Sequence, residues 1–329
     1  MNKLLTLVLC LHYFQSFPQT PTAPDQKPAY LPSILIDSRF YIKIPVRKGD
    51  TILAFCNTGG GFSAIYQSAI HDFHLDSRIL EATIGDKKIK YILAKDVIGN
   101  PIIPAPHLST EYQPAIAQPI FETPVDPFFE AYIKHQAYIG QYFFIDHSWT
   151  FDYPNGKIYI NTPLSPDGAY KNMQHVGFKK DGAGRKIAGL PSIKIEVDGQ
   201  ELDVLFDTGS SLLLSKSAQA ELNTDKKTIA GSFIAKSVFD KWHKQHPDWR
   251  IIEKGDITGA ALIQVPAITV GATTTGPEWF AMREDSDWPA DMITSANTKV
   301  QGTVGGGLLK DYKVIIDYNS ELAAFEKIK

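Results

Sequence analysis

Apolar and polar residues alternate along 39–46 and again along 51–57, with Lys48-Gly49-Asp50 between the two runs. A period of two is the pattern of a half-buried strand, so this stretch predicts two strands joined by a turn. The arrangement returns later: Ser192-Ile193-Lys194-Ile195 leads to Asp198-Gly199, and Val204-Leu205-Phe206 follows. In between, the pattern predicts a strand and a short helix over Ala64–Leu75, then a hairpin from Glu81 to Leu93 that turns at Gly85-Asp86. Residues 97–128, rich in Pro and aliphatics, predict an extended, irregular surface segment. In the second half Ile234, Val238 and Trp242 recur at intervals of four, with Phe239 beside them. That stripe predicts a helix from about Ser232 to Lys244, ended by Pro247 and without a counterpart in the first half. The chain is therefore expected to be mostly β, with a few short helices.

Both apolar hairpins run straight into a polar turn. Val204-Leu205-Phe206 meets Asp207-Thr208-Gly209-Ser210-Ser211, and Ile52-Leu53-Ala54-Phe55 meets Cys56-Asn57-Thr58-Gly59-Gly60-Gly61. A strand that stops on an Asp and turns at once holds that acid rigidly at the floor of a cleft. Gly209 permits a backbone that other residues resist, and the hydroxyls of Thr208 and Ser211 are expected to donate to the carboxylate. Farther on, Tyr138-Ile139-Gly140 leads to Phe151-Asp152-Tyr153, and Thr303-Val304-Gly305 to Ile316-Asp317-Tyr318. Gly140 and Asp152 stand as far apart along the chain as Gly305 and Asp317. Two ordered landmarks per half, equally spaced, imply a duplicated architecture.

The run Leu205-Phe206-Asp207-Thr208-Gly209-Ser210-Ser211 resembles the signature of the aspartic peptidases, the pepsin and retropepsin families, and the paired landmarks resemble their bilobal form over residues 35–329. The resemblance implies two pseudo-symmetric acid-protease-like β-barrel lobes with a central cleft: an N-terminal lobe at 35–162, an inter-lobe crossing at 163–190 and a C-terminal lobe at 191–329. It makes Asp207 the catalytic carboxylate and Asn57 its partner, with Thr58, Gly59, Thr208, Gly209 and Ser211 supporting the two loops. Tyr91, on the return strand of the hairpin, takes the place of a flap aromatic, against the simpler reading of an ordinary strand Tyr. The implied partner is a peptide or protein in the inter-lobe cleft of a monomer, with no cofactor and no metal.

The departure from the family pattern is Asn57, which stands where the first loop should carry an Asp. In an active pair, two facing carboxyls share one proton because like charges so close do not both ionise. One activates water and the other donates to the carbonyl oxygen. Asn keeps the shape and loses the exchangeable acid, so Asp207 is expected to be ionised near neutral pH, with peptide hydrolysis weak or lost. The alternative function is peptide or protein binding without cleavage. His71 and His74 have a helical ligand spacing, but no third ligand stands at a telling distance, and a solvated turn accounts for them. Cys56 precedes Asn57 on its strand and so points away from it into the core, as packing rather than as a nucleophile.

The ends and the composition set the setting. With 43% hydrophobic residues, the 329-residue chain can bury one or two cores. Its 33 Lys and Arg nearly balance 36 Asp and Glu, leaving neither the basic stripe of a nucleic-acid binder nor an acidic tail. Residues 1–17 read as a secretory signal, with Lys3 as the charged start and Leu4–Phe14 as an apolar run too short to span a bilayer. Leu9 precedes Cys10 where a lipid-anchored precursor would carry a small residue, so a cleaved, soluble export product is expected, periplasmic or extracellular. Cleavage would leave Cys56 as the only thiol and exclude an internal disulfide, which points to a bacterial envelope. Gln19–Pro32 is rich in Pro and polar residues, so 18–34 is expected to be a flexible leader; a basic pro-segment of the pepsin kind is not expected.

Overall fold

Period-two patterning becomes paired strands almost wherever it occurs. In a computed structural model, which describes residues 28–46, 49–84, 86–93, 119–125, 135–145, 147–165, 170–286 and 296–328, Arg39–Pro45 and Thr51–Cys56 pair antiparallel. Ile52, Ala54 and Cys56 point into the core while Leu53 and Phe55 lie half-buried on the opposite face. The later hairpin repeats this with Ser192–Val197 and Gln200–Phe206. The third hairpin pairs Leu80–Ile84 with Lys87–Leu93.

The architecture is mostly β, in three large sheets and one small one. The eight-stranded sheet contains, side by side, Arg39–Pro45, Thr51–Cys56, Ala137–Ile139, Ala64–Tyr66, Pro119–Thr123, Lys87–Leu93 and Leu80–Ile84. The nine-stranded sheet contains, in the corresponding order, Ser192–Val197, Gln200–Phe206, Gly302–Val304, Ser232–Ala235, Glu278–Arg283, Leu262–Val265 and Ile251–Ile252. Strand directions agree at every step: antiparallel, parallel, antiparallel, parallel, antiparallel, antiparallel. Both sheets are open, each ending on edge strands, so the expected closure into barrels is not what the pairing gives.

The third large sheet joins the halves. Its six strands run Ala29–Leu31, Lys157–Ile160, Ser148–Asp152, Tyr312–Asp317, Leu322–Lys327 and Met173–His175. At its centre Trp149 lies opposite Ile316 and Phe151 opposite Val314. Every residue of Ser148–Asp152 is buried, and Phe151 packs on Phe206 with ring centroids 5.9 Å apart. Asp152 and Asp317 end equivalent strands and hold the turns that follow, each accepting from the N–H three residues on, of Asn155 and of Ser320.

Several expectations shift. The helix of the second half is Lys236–Gln245, while Ser232–Ala235 is a strand; Ile234 is buried through the sheet and Val238, Phe239 and Trp242 through the helix. A stripe of four-residue spacing does not distinguish a helix from a strand that runs into one. This strand–helix unit also has a counterpart, Ala64–Tyr66 followed by the helix Gln67–Asp72. What the first half lacks is 211–231, where Ser211–Leu213 and Thr228–Ala230 form a separate ribbon around the helix Lys216–Glu221. Pro119–Thr123, inside the stretch expected to be irregular, is a strand whose Ile120 is buried; most of 97–128 lies outside the described residues. The leader is expected to reach residue 34, yet Ala29–Leu31 pairs with Lys157–Ile160 and buries Leu31 completely. Residues 1–17, read above as a secretory signal, lie outside the described residues.

Between the halves, Met173–His175 enters the joining sheet by pairing with Leu322–Lys327. Lys180 and Lys186 both pair with Glu321, at 2.7 and 3.2 Å. Among the described residues no helix is long and apolar enough to cross a membrane.

Candidate active site

Asn57 and Asp207 occupy equivalent places at the ends of equivalent strands. The Asn57 N–H donates to Ile139 O and the Asp207 N–H to Val304 O, each at 2.9 Å, so each loop is tied to the parallel strand beside it. Each turn then closes in the same way, with the Gly60 N–H on Asn57 O and the Ser210 N–H on Asp207 O, both at 3.1 Å.

The two loops are locked to each other by their threonines. Thr58 Oγ1 donates to Phe206 O at 2.8 Å and accepts from the Thr208 N–H at 3.0 Å. Thr208 Oγ1 donates to Cys56 O at 3.0 Å and accepts from the Thr58 N–H at 3.2 Å. Both threonines are fully buried, so four backbone groups that would otherwise be stranded away from water are satisfied by two hydroxyls. The glycines follow from this closeness. A Cβ on Gly59 would lie 2.5 Å from Asp207 Cγ, and one on Gly209 would lie 2.6 Å from Asn57 Cγ. Each side chain thus sits over the glycine of the opposite loop.

The Asp207 carboxylate accepts from the N–H of Gly209 at 2.8 Å and of Gly59 at 3.3 Å, one donor from each loop. The hydroxyls expected to serve it are used elsewhere: Thr208 bonds across to Cys56 O, and Ser211 Oγ donates to Gly209 O at 2.9 Å. Burial pushes the Asp207 carboxyl up to about 6, against the pull of the Gly209, Gly59 and Ser210 N–H groups. Asp207 is expected to be ionised near neutral pH, which a pKa of about 6 still allows, but desolvation alone holds its proton to a higher pH than an ordinary Asp keeps it. Asn57 Oδ1 is buried and, among the described residues, accepts no hydrogen bond.

Two polar residues at the site had no signal in the motif. Arg39, almost wholly buried on the first hairpin, reaches across to Ser211 Oγ at 3.3 Å, with Asp37 3.5 Å away on its other side. By period two it falls on the face of Tyr41 and the exposed Lys43, opposite the core residues Phe40, Ile42 and Ile44, so the pattern did not mark it for burial. Glu278, on a strand of the nine-stranded sheet, is buried and accepts from Ser232 Oγ at 2.7 Å.

The other candidates fall outside this cluster. Tyr91 lies in register between Leu80 and Phe121, four strands along the sheet from the one that ends at Cys56. His71 is exposed and 3.8 Å from Asp76, and among the described residues no three metal-ligating side chains cluster. Cys56 is fully buried, and burial raises its thiol well above the ordinary range, so its part in the site is its backbone carbonyl.

No protein-family model matches the chain, and no curated protein matches it. An acid that titrates near pH 6, held by N–H donors from both loops, faces the glycine of a loop that carries a neutral amide. Such a pair can orient water through Asp207 and donate hydrogen bonds from the amide, but it holds a single exchangeable proton.

Proposed function

We propose that the chain is an aspartic-peptidase-like protein of two related lobes, taking an extended peptide between the Asn57 and Asp207 loops, with hydrolysis weak or lost. The observation that carries this reading is the reciprocal threonine lock, in which Thr58 and Thr208 each serve the other loop's backbone. Two strand–turn units built alike and bonded to each other in this way form a shared floor for two side chains, the arrangement a two-acid mechanism needs. The matching strand orders of the two larger sheets support the same reading.

In this reading, ionised Asp207 takes a proton from water as the water attacks the peptide carbonyl. The Asn57 amide can donate a hydrogen bond to the developing oxyanion, a part that preorganised donors play elsewhere. What it does not do is deliver a proton to the leaving amine. Loss of general-acid assistance costs roughly a hundred- to ten-thousand-fold in rate, which moves the balance from cleavage toward retention of peptide.

The test is a peptide library presented to three proteins between pH 4 and 8. Wild type is expected to bind peptides with little or no cleavage. Asn57→Asp is expected to gain cleavage, most at acidic pH where two facing carboxyls share one proton, and Asp207→Ala to cleave nothing. Wild type that neither binds nor cleaves, together with an inert Asn57→Asp variant, would overturn the reading. Residual wild-type cleavage that disappears in Asp207→Ala would instead favour a weak enzyme over a pure binder.

A further inference from the structure

Behind each loop a serine hydroxyl meets the N–H of a glycine on the parallel strand's far end. In the first half the Gly140 N–H donates to Ser63 Oγ at 3.2 Å; in the second the Gly305 N–H donates to Ser232 Oγ at 3.4 Å. The two supports then differ. Ala64 pairs with Tyr138 and Phe121 as Phe233 pairs with Thr303 and Ala281, so the counterpart of Glu278 in the first half is Gln118, which lies outside the described residues. Only the second half therefore has a carboxyl at this position, and there it stands behind the serine. Ser232 passes its proton side to Glu278 Oε1 while accepting from Gly305, so one hydroxyl links a buried acid to the segment beneath Asp207.

That segment has no slack. A Cβ on Gly305 would lie 2.9 Å from Ser210 Cβ and 3.3 Å from Asp207 O, and one on Gly307 would lie 2.9 Å from Glu278 Oε2. Glu278 therefore touches the Gly305–Gly307 run at both ends, through Ser232 at one and by contact at the other. We propose that Glu278, in its neutral acid form, is a positioning residue that locks Gly305–Gly307 beneath the Asp207 loop, and that this lock loosens as pH rises.

The charge balance around it sets the direction. Burial pushes the Glu278 carboxyl up to about 8, opposed by the Ser232 hydrogen bond and by the Lys310 charge, the one charged group acting on it among the described residues. An opened segment hydrates the carboxyl and lets it ionise at its ordinary, lower pKa. Opening therefore releases a proton, grows easier with each step in pH below about 8, and levels off above it. Asp207 adds a step of its own that ends near pH 6, so the range from pH 6 to 8 isolates Glu278.

The lock holds whether the site cleaves peptides or only binds them, and hydrogen exchange of the free, full chain reads it without a peptide. After correction for intrinsic exchange, protection across 302–308 and 205–211 is expected to fall about tenfold per pH unit between pH 6 and 8. Protection of the Asn57, Gly60, Gly140 and Gln141 N–H groups, whose partners all lie within the first half, is expected to stay flat. Glu278→Gln, neutral and of the same shape, should remove the slope, and Ser232→Ala should lower protection of Gly305 at pH 6 while leaving the Asn57 loop unchanged. A flat wild-type profile, an equal fall across both halves, a slope that persists in Glu278→Gln, or an unaffected Gly305 in Ser232→Ala would each overturn the proposal. Should Glu278→Gln fail to fold, the wild-type profile and Ser232→Ala decide it.

Discussion

Asp207 concentrates the conflict between burial and charge. Its folded pKa, raised to about 6, exceeds the unfolded value, so the folded state binds more protons and stability falls as pH rises from about 4 to about 6. Holding the carboxyl at about 6 rather than about 4 corresponds to about 3 kcal/mol lost by pH 7. Asp207→Asn is expected to remove that loss: urea denaturation at pH 4 and 7 should show a smaller difference for the variant than for wild type. The threonines carry the opposite sign. Thr208→Val keeps the shape but leaves Cys56 O and the Thr58 N–H buried without partners. At about 1–3 kcal/mol for each stranded group, a loss of roughly 2–6 kcal/mol in urea denaturation is expected, with Thr208→Ser retaining most of the stability. Which residue types stand at these positions was legible in the sequence. What each hydroxyl bonds to was not, because its partners lie about 150 residues away.

Among elements, the two loops set the tightest geometric demand. Gly209→Ala would drive a methyl against Asn57, whereas a Cβ on Gly61 would meet nothing within 4 Å. Gly209→Ala is expected to lower the thermal midpoint and abolish peptide retention, while Gly61→Ala changes neither; equal behaviour of the two would contradict the interlocked loops. The helix Lys236–Gln245 is anchored by Trp242, fully buried and 5.5 Å from Phe280 edge to face. Trp242→Ala should cost about 3–5 kcal/mol in denaturation. Period-two strands are legible because each shows its alternation locally. The start of this helix is not, because Ile234 is equally at home in an apolar strand. Pro119–Thr123 carries no such local mark either, since its partners, Ala64–Tyr66 and Lys87–Leu93, are fixed by tertiary pairing.

At the scale of the whole molecule, the six-stranded sheet makes the halves interdependent. Ser148–Asp152 pairs with Tyr312–Asp317, and one continuous apolar core holds Phe151, Phe206, Val314 and Ile316 together. A single cooperative unfolding transition is therefore expected by calorimetry, with Phe151→Ala shifting all of it; two separable transitions would show the joint to be weaker than the packing implies. The sequence by itself determined the repeated hairpins, the turns that end them, the Asn–Asp difference between the halves and the equal spacing of Gly140–Asp152 and Gly305–Asp317, because each is written in local alternation and in residue type. Only the tertiary structure decided that Thr58 and Thr208 serve each other's loops, that Arg39 reaches Ser211, that Glu278 stands behind Ser232, and that Asp207 keeps its proton up to about pH 6. Those depend on burial and on contacts between segments far apart in the chain, and no local pattern records what a side chain will meet there.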